Sequence, residues 1–210
     1  MTFRGWPSEA LEFYEGLAAD NSKTYWTAHQ TFFETRVREP MTELLAALEP
    51  EFGPGKIFRP YRDVRFSKDK SPYKTHLGAW LSAGGYLQLS ADGLAAGSGM
   101  YQLARDQLER YRRAVADDRT GGELTDLIAT IEKAGIDVHG HGSLKTSPQG
   151  YPKDHPRVDL LRHKGLTTWR AWEPAAWLGT AAAKTRIVEF LRTSRPLRAW
   201  LDDHVGQSRP

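Results

Sequence analysis

The hydrophobic period changes twice along this chain, from about 3.6 residues to two and back again, and that order confines it to an α+β architecture. The first helical stretch opens at Ser8, with Glu9 and Glu12 in its first turn, and Leu11, Tyr14, Leu17 and Ala18 recur on one face. Asn21 and Ser22 end it and start a second, longer run. Trp26, Phe33, Val37, Met41, Leu44, Leu45 and Leu48 form the stripe of that run, and a kink is expected where Pro40 removes a donor. Glu51 to Gly55, with two glycines and a proline, closes it. The period then becomes two. Asp63 to Ser67 reads as a short strand with Val64 and Phe66 turned to the core and Arg65 to the other face. Leu77–Leu81 and Tyr86–Ser90 flank Gly84-Gly85, and Asp92-Gly93 leads into Leu94–Met100, which makes an antiparallel meander.

Helical spacing returns at Leu103, Leu108, Tyr111 and Val115, and again at Leu124, Leu127, Ile128 and Ile131. His139–Pro156, rich in Gly, Pro and His, reads as an ordered loop, followed by a short helix to Arg162 that Asp154 would cap. A last strand over Thr167–Trp172 and two amphipathic helical runs split at Arg195-Pro196 complete the chain. The expected fold is a single α+β domain, 1–210, with long N-terminal helices and C-terminal helices packed on an antiparallel meander. No repeat or boundary interrupts it.

Composition narrows the chemistry. The 210 residues include no cysteine, which removes disulfide frameworks, thiolate nucleophiles and Cys-ligated zinc. Neither an apolar leader nor an apolar run of about 18 residues is present, so a cytoplasmic protein away from membranes is expected. The net charge of +3 and the pI near 9.1 have one local origin. Lys56–His76 holds Lys56, Arg59, Arg62, Arg65, Lys68, Lys70 and Lys74 against only Asp63 and Asp69, while the remainder is nearly neutral.

That segment interleaves its cations with Tyr61, Phe66 and Tyr73. Arginine forks bind phosphate or carboxylate in bidentate fashion and lysines add point charge, so an anion site is expected here, with Arg62 and Arg65 as its main contacts. The alternative is a solvated face in which Asp63 and Asp69 pair with their neighbours. A second cluster, Leu144–Gly165, gathers Lys145, Lys153, His155, Arg157, Arg162, His163 and Lys164 around Pro148, Pro152 and Pro156, with Tyr151 among them. The expected ligand set is Arg59, Arg62, Asp63, Arg65, Lys68, Lys70, Tyr73, Lys74, Lys145, Tyr151, His155 and Arg157, converging on one anionic small molecule. Nucleic-acid binding through the same cations, with aromatic stacking, is a weaker reading because no extended positive track continues beyond them. A protein-interaction module using exposed tryptophans is the third.

Other motifs carry less. Gly97-Ser98-Gly99 lacks the third glycine of a dinucleotide fingerprint and reads as a tight strand exit. His139, His141, His155 and His163 lack the spacing of a metal set. Ser67, Ser71, Ser143 and Ser147 sit in no nucleophile elbow, and the sequence assigns them no base. Trp26 and Trp200 belong to apolar stripes, whereas Trp169, Trp172 and Trp177 are candidates for lining a pocket.

Three stretches resemble a widespread, uncharacterised bacterial family known as domain of unknown function 2461. They are FRGWP with the later ADNSKTYW, then FRPYRDVRFSKDKSPYKTHLGAW, then LKTSPQGYPKDHPRVDLLRHKGL, in an order and spacing that run over nearly the whole chain. The resemblance implies a compact α+β fold, and brings no established activity, cofactor or catalytic residue. Where the family usually reads Pro-Arg-Gly, this chain has Pro148-Gln149-Gly150, so the second cluster holds one positive charge fewer.

Overall fold

The structure is a computed structural model that describes residues 2–209; Met1 and Pro210, the ends of the expected 1–210 domain, lie outside the described residues. Two compact units emerge, one of residues 1–96 with 171–189 and one of residues 97–170 with 190–210. The fold is α+β. Its strands run β1 (Gly55–Ile57), β2 (His76–Leu81), β3 (Gly85–Ser90), β4 (Gly93–Met100), β5 (Asp137–Gly140) and β6 (Leu166–Trp172), in the sheet order β1-β2-β3-β4-β6-β5. The pairs β1–β2, β2–β3 and β5–β6 are antiparallel.

In the first unit, α1 (Glu9–Ala19), α2 (Lys23–Phe32), a π-helical turn (Phe33–Arg38) and α3 (Glu39–Phe52) precede the meander. Ser22 caps α2 by accepting from the Tyr25 N–H, whereas Ser8 takes up helical angles itself and caps nothing, its hydroxyl turning to Glu9. The expected kink at Pro40 becomes the π-helical turn. Pro40 has no N–H to offer the carbonyl four residues back, and the preceding residues absorb this with wider bonds, Glu39 donating to Glu34 five residues away.

The side chains of β2 and β3 largely alternate. Leu77, Ala79, Leu81, Leu87 and Leu89 are buried, while His76, Trp80, Tyr86 and Gln88 stay partly or largely open. The register pairs Trp80 with both Lys56 and Tyr86, so an aromatic and basic row crosses three strands. Gly93 begins β4 at φ 104°, which glycine alone adopts easily, and the Trp172 carbonyl occupies the place a Cβ would take.

In the second unit, α4 (Arg105–Ala116) and α5 (Asp118–Lys133) pack as a helical pair, with Asp117 capping α5 through the amides of Arg119 and Thr120. Trp200 is buried and donates its indole N–H to the Thr120 carbonyl. Gly97 and Gly99 lie within the second half of β4, where the Trp169 ring and the Leu166 carbonyl approach too closely for side chains.

Two helical expectations change. Asp154 does not cap α6 (Val158–Arg162); its N-cap position is Arg157, and no side chain accepts there. Nor does Pro196 split the C-terminal helix, because α7 runs from Ala182 to His204 with the proline inside. Ala183, Ile187, Phe190, Leu191, Leu197, Trp200 and Leu201 are buried on both sides of it, and that packing outweighs the roughly 3 kcal/mol an interior proline costs.

Candidate functional site

The basic segment builds an arm rather than a strand of the meander. Arg62 donates its amide to the Pro72 carbonyl, Lys74 to the Pro60 carbonyl, and Tyr61 faces Tyr73 between them. Asn21 holds the arm from outside. Its amide gives to the Tyr73 carbonyl at 3.1 Å and takes from the Tyr73 N–H at 3.0 Å, replacing the two bonds a neighbouring strand would make. Trp26 then stacks on Tyr73, with centroids 4.5 Å apart and planes 9° from parallel, and tilts against Tyr61 at 6.2 Å. Tyr73, expected as a ligand contact, is 6% exposed and serves this clamp.

At the tip, the expected strand over Asp63–Ser67 is a turn, and the expected burial is lost: Val64 is only half-buried, and Arg65 and Phe66 are both exposed. Phe66 is 96% exposed, and Arg65 is bound in a fork to Asp63 at 2.7 and 2.9 Å. The physical reason is local. Asp63 and Asp69 each hold the backbone two residues on, Asp63 the Arg65 N–H and Asp69 the Ser71 N–H, and such turns compete with strand pairing. Arg62 is bound to Asp69, and Lys70 donates to the Val64 carbonyl at 3.0 Å. Hydrogen bonds from Ser71, joined by Arg62, hold the Asp69 carboxyl far below the usual carboxylate range. Lys68 stays exposed on this tip.

A concave feature lies at the arm's base. A cleft of about 550 Å³ is walled on one side by Trp26, Gln30, Phe33, Glu34 and Arg38, and on the other by Lys56 through Tyr61. Of the expected site residues only Arg59 lines it. Lys56 and Arg59 are exposed, and among the described residues neither has an ion-pair partner; the one carboxylate, Glu34, already binds Arg38 at 2.8 Å. Lys74 lies beside this wall, its ammonium 5.4 Å from the Phe58 ring centre. Partial burial, and then the neighbouring Arg59 charge, lower its pKa. Gln30, Glu34 and Arg38 were missed by sequence reasoning. Their signal is a row spaced by four that begins at Trp26.

The second cluster falls in the other unit and has another character. Arg157 fastens helix ends: it donates to the carbonyls of Val115 at 2.7 Å, Ala116 at 3.1 Å and Asp117 at 3.3 Å, and pairs with Asp118 at 2.8 Å. A cation on the last carbonyls of α4 complements the helix dipole. Gly121 makes the approach possible, since a Cβ there would stand 2.5 Å from Arg157 Nε. His155 accepts the Arg157 N–H at 3.0 Å, Tyr151 is half-buried, and Lys145 and Lys153 are exposed. Ser143 does have an imidazole partner: His163 Nδ1 lies 2.6 Å from its Oγ. Asp159, the carboxylate nearest in charge to that ring, is engaged by Arg162 at 2.9 Å. Trp172 and Trp177 meet edge to face at 6.3 Å, and Arg186 covers the Trp177 ring at 4.6 Å.

Burial is the first cause lowering the pKa of His76, His141 and His163. With folded pKa values below the unfolded value of about 6.5, the unfolded chain takes up protons first on acidification. Stability is therefore expected to be full above that value and to fall as pH drops from it through the lowered folded pKa values. Melting temperatures between pH 7.5 and 5 check this, and His163→Gln should flatten the curve. A curve flat over that range would contradict the assignment.

Among the described residues no helix is long and apolar enough to cross a membrane, and no group of three or more histidine or carboxylate side chains is placed to hold a metal ion. No curated protein matches the chain. A solved structure of a conserved hypothetical protein from Pyrococcus furiosus is similar over 81% of this chain and 98% of its own, at 14% identity and a TM-score of 0.38. The family model described as "Conserved hypothetical protein (DUF2461)" matches residues 9–200, across both units, and the chain belongs to that family.

Proposed function

We propose that the cleft at the base of the arm binds a small molecule bearing a phosphate or carboxylate group. One observation carries this reading: Lys56 and Arg59 stand in a walled cleft as exposed cations that form no ion pair among the described residues, beside the open rings of Phe58 and Tyr61. Its volume lies within the 300–1,000 Å³ usual for ligand pockets. Cations left unpaired at the surface gain from an incoming anion, whereas Arg62 and Arg65 would first have to leave Asp69 and Asp63. The centre of the proposed contact therefore moves from the arm's tip to its base. Arg59 forms the fork, Lys56 and Lys74 supply field, and the aromatic walls take the rest of the ligand.

Calorimetry with inorganic phosphate, citrate and a panel of phosphorylated metabolites tests this. A charged hydrogen bond contributes about 1.5–3 kcal/mol, so Arg59→Ala should weaken the best binder tenfold or more. Arg65→Ala should change it less than twofold. Weak dependence on salt is expected for a single anionic group, in contrast to the steep dependence of nucleic acid. Equal affinity in wild type and Arg59→Ala, or a loss confined to Arg65→Ala, would overturn the reading.

A further inference from the structure

The cleft runs along the free edge of β1, and the backbone there is as informative as the side chains. In the sheet order β1 is terminal and pairs only with β2. Phe58 donates its N–H to the Gly78 carbonyl at 2.8 Å, and Ser82 donates to the Pro54 carbonyl at 3.0 Å. Hydrogen-bonded pairs alternate with open ones in an antiparallel ladder, so Pro54, Lys56 and Phe58 point their polar groups toward β2, while Gly55, Ile57 and Arg59 point theirs away. Among the described residues the outward N–H groups of Ile57 and Arg59 have no backbone acceptor. Edges of this kind are usually blunted by proline or covered. Pro60 does not blunt this one, because its carbonyl accepts from Lys74 on the inner side of the arm. Nor does a further strand cover the outer side over Lys56–Arg59, which the cleft adjoins.

Resting on the reading of this cleft as an anion site, we propose that its carboxylate-bearing ligand is an acidic peptide in extended form, which adds to the sheet as a strand outside β1. Such strand addition draws affinity from main-chain bonds and specificity from pockets for alternate side chains. The three residues of β1 with Phe58 and Arg59 beyond them, at about 3.3 Å each, extend roughly 17 Å, which suits an extended chain of about five residues. The charge also fits. Lys56 and Arg59 flank the edge, and Glu34, the acidic group among the cleft's lining residues, is neutralised by Arg38. A peptide with acidic residues at alternate positions would present carboxylates on the Lys56 side of the edge, while its N–H and C=O groups meet those of Ile57 and Arg59.

Fluorescence anisotropy with a labelled Glu-Thr-Glu-Val-Glu peptide provides the test. The peptide should bind the wild-type protein at least tenfold more tightly than free glutarate does, measured by competition. Ile57→Pro removes one outward N–H and no β1–β2 bond; it should weaken the peptide tenfold or more while inorganic phosphate binding is kept. The same peptide N-methylated at alternate residues should fail to bind the unaltered protein, which covers the case in which the proline variant misfolds. If the peptide is no better than glutarate while phosphate binding still depends on Arg59, strand addition is wrong and the small-anion reading stands. If neither peptide nor phosphate binds, both fall. Full binding of the N-methylated peptide would place the affinity in side chains alone and overturn the proposed strand.

Discussion

Trp26→Ala is expected to destabilise the protein by about 3–5 kcal/mol, the usual range for deleting a large buried aromatic. Trp26 is 4% exposed and touches the arm, the π-helical turn and α1. Its ring lies flat on Tyr73 of the arm, 4.9 Å from Phe33 in the π-helical turn and 6.1 Å from Phe13 in α1. Removing it opens a cavity under the arm and takes away one wall of the cleft. Both stability and phosphate binding should therefore fall, and Trp26→Phe should restore most of the first. Chemical denaturation of the two variants, read against calorimetry, measures the effects. A loss below about 1 kcal/mol for alanine would show that the arm is held without this stack.

The second large effect is expected at Arg157. Arg157→Ala should cost about 2–4 kcal/mol, because three carbonyls at the end of α4 lose a charged donor together. The bond to Asp118 contributes little of this, since that carboxylate is 98% exposed and well solvated while Arg157 is only 13% exposed. Lysine should rescue poorly, as one ammonium cannot reproduce the fork that spans Val115, Ala116 and Asp117. Phosphate binding should be unchanged in whatever fraction remains folded. Thermal melts with calorimetry decide it: a variant of normal stability that loses phosphate binding would make Arg157 a ligand contact after all.

How much of this was legible beforehand depended on whether the signal was periodic. Long apolar stripes such as Trp26 to Leu48 and strict alternation such as Leu77 to Leu89 revealed helices and meander, because burial on one face imposes a pattern that sequence carries openly. β1 and β5 have three and four residues, too few to display a period, and both were passed over. At Pro196 a local rule was overruled by apolar residues on either side of it. The tip of the arm shows the opposite case. Alternation over Asp63–Ser67 looked like a strand, yet two aspartates at turn-forming positions decided the backbone and took up the arginines expected to bind a ligand. Charge density was plain in the sequence, but whether each charge was already spent on a neighbour was not. The helical wall of the cleft was hidden for another reason. Gln30, Glu34 and Arg38 lie some 20 residues before Lys56 and Arg59, and only the chain's return along β1 brings them opposite one another.

The Asn21 clamp also bears on the order in which the protein assembles. Its two bonds join groups 52 residues apart in sequence, so closing them costs considerable chain entropy unless the helices between are already formed. The arm has little to hold it before that moment: two backbone bonds and a tip closed on itself by its own ion pairs. The expected order is therefore that helices α2 and α3 come together first and the arm docks on them afterwards. With that order the cleft, bounded by the last piece to arrive, forms only as folding ends, and a partly folded chain is expected to offer a ligand nothing to capture.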